Sequence, residues 1–142
     1  MILVDTDHLT LLKYPDSERG VRLNARLDAQ PPDEVVAISI ISVEEQMRGW
    51  LAAIAKERHA RRQVFAYSEL ARLFDYFRAF TILLFDERAA DQFESLRAAK
   101  IRLGTMDLKI AAIALVNQAL LLSANHRDFE RVPGLRVENW LE

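Results

Sequence analysis

The segment MILVDTDHL runs three aliphatic residues straight into two carboxylates, Asp5 and Asp7, with no basic residue before Lys13. A buried strand gains nothing from packing by ending on an acid, because desolvating a carboxylate is costly. Three more acids follow later apolar segments in a comparable way. Glu45 lies about one turn into the helical stretch after VVAISI, Asp107 in the first turn of TMDLKIAAIALVNQ, and Asp128 after LLLS, in SANHRDF. Carboxylates gathered at close range cannot all be ionised without a cation. The chain has no Cys and no His-x-x-x-His pair, so hard oxygen ligands favour Mg²⁺ or Mn²⁺ over zinc. Such an ion in an open acidic site keeps waters and engages phosphates, the arrangement that phosphodiester hydrolysis needs.

Each acid also has a structural use. Ser42-Val43-Glu44-Glu45 reads as a capping box, with Glu45 bonding back to the Ser42 N–H. Asp107, two residues after Thr105, can complement a helix dipole, and Asp128 can be a turn acid. Asp7 reads as an N-cap. His8 and His126, beside the acids, read as RNA contacts or, more simply, as polar loop positions, and Trp50 and Trp140 as packing anchors. What unites Asp5, Glu45, Asp107 and Asp128 is shared placement.

That placement depends on the elements that carry them. ILVD, VVAISI, TILLF and LLLS read as buried strands, and LRVENW as a short edge strand. Between them lie helical segments: DHLTLLKY closed by Pro15, SERGVRLNARLDAQ capped by Ser17 and stopped by Pro31-Pro32, and DERAADQFESLRAAKIRLG ending at Gly104. Residues 42–80 form two antiparallel helices or one long broken one. IAAIALV is apolar almost all round and should be buried. Alternating strands and helices predict an α/β fold, a single-domain three-layer α/β/α sandwich over residues 1–142 with a mainly parallel sheet. Such sheets place their sites at the C-terminal ends of the strands, where these acids fall.

The bulk properties agree. Of 142 residues, 51% are hydrophobic and 28% charged, with four Gly and four Pro, as in one ordinary globular core. No stretch approaches a membrane span, and a Cys-free chain suits a reducing, cytoplasmic compartment. A net charge of -2 argues against gripping nucleic acid by bulk charge but leaves room for a local basic groove. Arg48, three residues after Glu45, is either a phosphate contact or the partner of Glu44 or Glu45 in a surface ion pair. Lys56, Arg58, Arg61 and Arg62 form either a phosphate-tracking patch or a solvated helix face. Six of the ten Phe and Tyr residues fall in 65–80, mostly as core, with some available to line a groove for a partner helix or a second protomer.

These residues resemble a known family, the PIN domains, and within it the VapC-type toxins of toxin–antitoxin pairs. LVDTDHL is similar to the family's opening strand and Asp-Thr signature, ISIISVEEQMRGW to its Ser/Thr-x-x-Glu with a downstream Gly, and RLGTMDLKIAAIAL to its third-acid helix. LLLSANHRDFERVPGLRVENW is similar to its C-terminal block. The resemblance implies a Mg²⁺- or Mn²⁺-dependent endoribonuclease held by an antitoxin protein and usually dimeric. It implies metal ligation by Asp5, Glu45 and Asp107, with Thr6 and Asn125 in support; Asp128, read from its own place after LLLS, completes the catalytic set. Two departures stand out: Asp7 where the family often has Asn, and Gln46 where Leu is usual. At the fourth acidic position the family often has Asp or Asn where Asn125 stands. Asp128 ranks above Asn125 as the ionic contributor.

Other functions fit less well. A haloacid-dehalogenase-like phosphatase would use Asp5-Thr6-Asp7, but Leu9 replaces its Thr or Val and its Gly-Asp-x-x-x-Asp loop is absent. A receiver-type signalling module would be phosphorylated on Asp86, yet no Lys follows Lys109. A catalytically dead binding module would have no use for so many placed acids. A housekeeping RNA-processing PIN nuclease uses the same residues.

Overall fold

The computed structural model describes residues 1–142. Its sheet is built from five short strands: β1 (Ile2–Val4), β2 (Val36–Ser39), β3 (Thr81–Leu83), β4 (Leu120–Leu122) and β5 (Arg136–Glu138). They lie in the order β3-β2-β1-β4-β5, and every pairing is parallel. Parallel neighbours need crossovers, and helices supply most of them. α1 (Thr6–Lys13) and α2 (Glu18–Asp28) lead from β1 to β2, and α3 (Ile40–Lys56) and α4 (Ala60–Phe77) from β2 to β3. α5 (Glu87–Ala98) and α6 (Thr105–Val116) return the chain to β4, and the single turn α7 (His126–Phe129) precedes β5. The chain therefore builds outward from β1 to β3, then crosses back to lay β4 on the other side of β1. Loops leaving β1 and β4 head in opposite directions and leave a crevice between them.

Successive strand residues point to opposite faces, and both faces are covered. Leu3, Ala37 and Leu121 join Phe93, Ile110 and Ile113 in one core. Ile2, Val4, Ile38 and Leu122 join Leu9, Leu23, Leu73 and Phe77 in the other. This is the three-layer α/β/α sandwich expected. Helix α6 is buried on nearly every side, from Leu108 through Ala114, because it lies between the sheet and α5. Truncating Ile113 there to Ala should cost about 2–5 kcal/mol. Ser17 caps α2 as expected, its Oγ accepting the Gly20 N–H at 2.9 Å. A Cβ on Gly20 would lie 2.9–3.0 Å from that Oγ and from the Leu11 and Tyr14 carbonyls, so only glycine fits.

Several boundaries differ from the sequence reading. β2 ends at Ser39, whose Oγ accepts the Ser42 N–H at 3.1 Å, so α3 begins three residues before the supposed capping box. The Ser39 hydroxyl wins the cap because its backbone is still extended (ψ 152°), as an N-cap requires. α5 stops at Ala98 rather than Gly104. Lys100 turns the chain in the left-handed region (φ 58°), and Gly104 instead precedes α6. Residues 42–80 resolve as two helices broken after Lys56, with the basic run at the hairpin tip. Of the six aromatic residues in 65–80, Phe65, Tyr67 and Phe74 stay exposed, contrary to a mostly core role. No helix is long and apolar enough to cross a membrane.

Candidate active site

Asp5 stands where β1 ends and α1 begins. Its own N–H still belongs to the sheet, donating to the Leu122 carbonyl at 2.9 Å. Its Oδ1 accepts the Thr6 N–H at 2.8 Å, and Oδ2 accepts the Ser123 hydroxyl at 2.8 Å. Asp5 is therefore the N-cap of α1, a role the sequence reading gave to Asp7. Only 7% of it is exposed. That burial, followed by the charge of Asp7, pushes its carboxyl up to about 6. The Thr6 and Ser123 hydrogen bonds oppose the rise, and Asp107 adds to it.

Asp7 sits one residue inside the helix and faces the loop after β4. Its Oδ1 accepts the His8 N–H at 2.7 Å and lies 2.6 Å from His8 Nδ1, while Oδ2 accepts the Ala124 N–H at 2.9 Å. Burial alone would raise its carboxyl. The hydrogen bonds from His8 and Ala124 outweigh that and hold it below the ordinary value.

Asp107, in the first turn of α6, points into the same crevice. Burial raises its carboxyl, a hydrogen bond from Asn125 partly offsets this, and the charges of Asp128 and Asp7 raise it further. Ser123 places Asn125 by accepting its N–H at 3.1 Å. Asp128, on α7, lies 3.4 Å from Arg131 at the exposed rim. Three of the four principal acids, Asp5, Asp107 and Asp128, thus form one electrostatic cluster, and Asp7, the departure from the family's Asn, adds its charge to it.

Glu45 reaches the crevice differently. Its Oε2 accepts the Thr6 hydroxyl at 2.9 Å, which ties α3 to the residue after Asp5. The capping role is excluded because Ser39 caps the helix. Arg48 does not share this face. It pairs with Glu44 one turn back and, with Ile40, Val43, Met47 and Leu51, lines a depression that Glu45 does not reach.

The sequence reading misplaced His8 and did not single out Ser123. His8 is fully buried rather than a polar loop residue, and its Nε2 accepts the Trp140 N–H at 3.0 Å. Its spacing from Leu12 on one helix face was the available signal. Ser123 was legible only as the residue ending LLLS.

No three acidic or imidazole side chains converge closely enough to form a ready-made metal site. The donor chemistry nevertheless fits a hard divalent ion. Asp5 and Asp107 are raised by burial and by neighbouring carboxylates, which a cation would relieve. Arg48 is engaged with Glu44, and Arg131 meets the cluster only at its rim, through Asp128.

Comparison with known proteins accords with this geometry. The PIN domain pattern matches residues 2–135. Ribonuclease VapC2 of Haemophilus influenzae is 33% identical over 86 residues, 58% of this chain and 65% of that protein. The tRNA(fMet)-specific endonuclease VapC of Salmonella typhimurium is 30% identical over 109 residues, 74% of this chain and 75% of that protein. Among solved structures, the DNA-bound VapBC of Salmonella typhimurium superposes with a TM-score of 0.73 at 25% identity, covering 99% of both chains. VapBC-1 of nontypeable Haemophilus influenzae gives 0.74 at 20% identity over the full length of both, a likeness of fold. Every acid described above lies inside the matched span, and the chain belongs to the PIN domain family.

Proposed function

We propose that this protein is a divalent-metal-dependent endoribonuclease, the toxin of a toxin–antitoxin pair. One observation carries the reading: at the switch point of the sheet a buried carboxyl ends β1, raised to about 6 by its burial and by the nearby charges of Asp7 and Asp107. A structural acid in that position would be expected to have a cation partner. The names of the relatives, ribonuclease and endonuclease, support RNA as the substrate class.

Asp5 and Asp107 would hold the ion, with Glu45 beside them. When bound, Mg²⁺ or Mn²⁺ supplies a water of lowered pKa and offsets charge developing on the phosphoryl oxygens. The chain's residues set the geometry. Ser123 and the Thr6 N–H fix both oxygens of Asp5, and Asn125 orients Asp107. Thr6 fixes Oε2 of Glu45 and leaves Oε1 to accept a proton from the attacking water. Asp128 adds negative charge at the rim.

The antitoxin and a second copy of the chain are the proposed protein partners. The solved neighbours are toxin–antitoxin complexes. An open apolar trough lined by Val43, Met47, Phe74, Phe77, Phe80 and Ile82 between α3, α4 and β3 suits an amphipathic antitoxin segment.

The test is cleavage of total RNA by the purified chain with Mg²⁺, with Mn²⁺ and with chelator. Metal-dependent cleavage, lost in Asp107→Asn, is expected. Equal cleavage in chelator, or none with either metal, overturns the assignment.

A further inference from the structure

Beside Glu45 lies a cleft of about 320 Å³, lined by Thr6, Glu45, Gln46, Gly49, Trp50 and Ala53. The size falls in the range of small-ligand pockets, on the order of 300–1,000 Å³. Four of its six residues, at positions 46, 49, 50 and 53, share one face of α3. Gly49 is the informative one. It lies in the interior of a helix, where glycine is a poor choice. Its φ is not in the left-handed region, and a Cβ there would meet nothing within 4 Å. Neither backbone conformation nor packing therefore calls for glycine. Keeping the cleft open does.

The chemistry of the lining narrows the occupant. None of its residues is Lys or Arg, and Glu45 is acidic, so a phosphate finds no partner there. Lys13, over the Trp50 ring at 5.9 Å, has its ammonium 3.9 Å from Glu69. What the lining offers is an indole, steadied edge-on by Phe65 at 5.9 Å, and the neutral Gln46 amide with a donor and an acceptor. A planar, uncharged group with a hydrogen-bonding edge matches both. Single-stranded RNA presents such groups when its bases unstack onto aromatic side chains.

Resting on the ribonuclease reading, we propose that this cleft receives a nucleobase next to the scissile phosphate, stacked at Trp50 and read by Gln46. The base preference of the enzyme is then set at the Gln46 face of α3, directly beside Glu45.

The test uses the full chain carrying Asp107→Asn, so that binding is measured without cleavage. Its probes are single-stranded homohexamers of A, C, G and U, and a ribose–phosphate hexamer lacking bases. At least one base-bearing hexamer should bind roughly 5- to 100-fold tighter than the abasic one. Adding Gly49→Leu should erase that preference and leave abasic binding unchanged. Its melting temperature should not fall, because leucine is the better helix former and meets open space. Equal binding of base-bearing and abasic probes, or a preference that survives Gly49→Leu, overturns the proposal. So does a Gly49→Leu variant that loses only the antitoxin, which would make the cleft a protein-docking site. Cleavage by the wild-type chain is scored separately. An active enzyme without base preference removes the pocket alone, whereas an inactive chain that still discriminates bases removes the nuclease reading alone.

Discussion

His8 accepts the Trp140 backbone N–H on Nε2 at 3.0 Å, while its Nδ1 lies 2.6 Å from Asp7 Oδ1. A backbone amide can only donate, so Nε2 carries no proton, and in the neutral ring Nδ1–H donates to Asp7. Asp7 Oδ2 is already taken by the Ala124 N–H. Position 7 therefore needs two side-chain acceptors, which Asp has and Asn lacks. The departure at Asp7 and the buried His8 are one feature. It clamps the C-terminal segment and the loop after β4 to the start of α1.

The clamp makes two measurable statements. Nitrogen-15 spectra of the histidines should show His8 as the neutral Nδ1–H tautomer. Asp7→Asn should leave one donor unpaired and cost about 1–3 kcal/mol in denaturant unfolding. A stability within 0.5 kcal/mol or so of wild type would mean that the second acceptor is not needed.

Asp5 links the site to stability through pH. In the unfolded chain its carboxyl loses its proton near 3.8, and in the folded protein near 6. Between those values the folded state binds more protons, so this group lowers stability as pH rises through the interval, and its full penalty holds above about 6. A shift of about two units corresponds to roughly 3 kcal/mol. Asp5→Asn should thus raise the melting temperature of the metal-free protein at pH 7.5, flatten its dependence between pH 4 and 6, and abolish cleavage. An unchanged pH profile of melting would show that Asp5 is not strained.

Glu45 is separated from helix capping by two substitutions. Ser39→Ala removes the cap of α3 and should cost about 1 kcal/mol. Glu45→Gln should change stability by less than about 0.5 kcal/mol yet sharply lower the rate of RNA cleavage. A destabilised but fully active Glu45→Gln protein would return Glu45 to a structural role.

Arg48 pairs with Glu44 at an exposed site, an arrangement worth about 0–1 kcal/mol. The expected slope of log affinity for RNA against log salt is the same in Arg48→Ala as in wild type. A slope smaller by about one unit would show that the guanidinium leaves Glu44 for a phosphate.

The order of strands and helices, the parallel sheet and the burial of α6 were legible from periodicity. Each is set within a window of a few residues: short apolar runs for strands, and an all-round apolar stretch for a helix between two layers. Asp5, Glu45, Asp107 and Asp128 could be picked out for the same reason, because parallel α/β topology brings strand ends to one edge. Contacts between distant segments were not legible. Ser39 rather than Ser42 caps α3 because the backbone leaves the sheet there. Asp7 escapes the N-cap and meets Ala124, more than a hundred positions away, because β4 lies directly beside β1. His8 is buried because the C-terminal segment closes over it and supplies the Trp140 N–H. The Arg48–Glu44 pair, by contrast, lies within one helix at i,i+4 spacing and was legible as a surface ion pair. Local pattern determined which residues were candidates for the chemistry. Hydrogen-bond donors arriving from remote loops decided which oxygen each one uses, since a buried polar atom must be paired by whatever the fold places beside it.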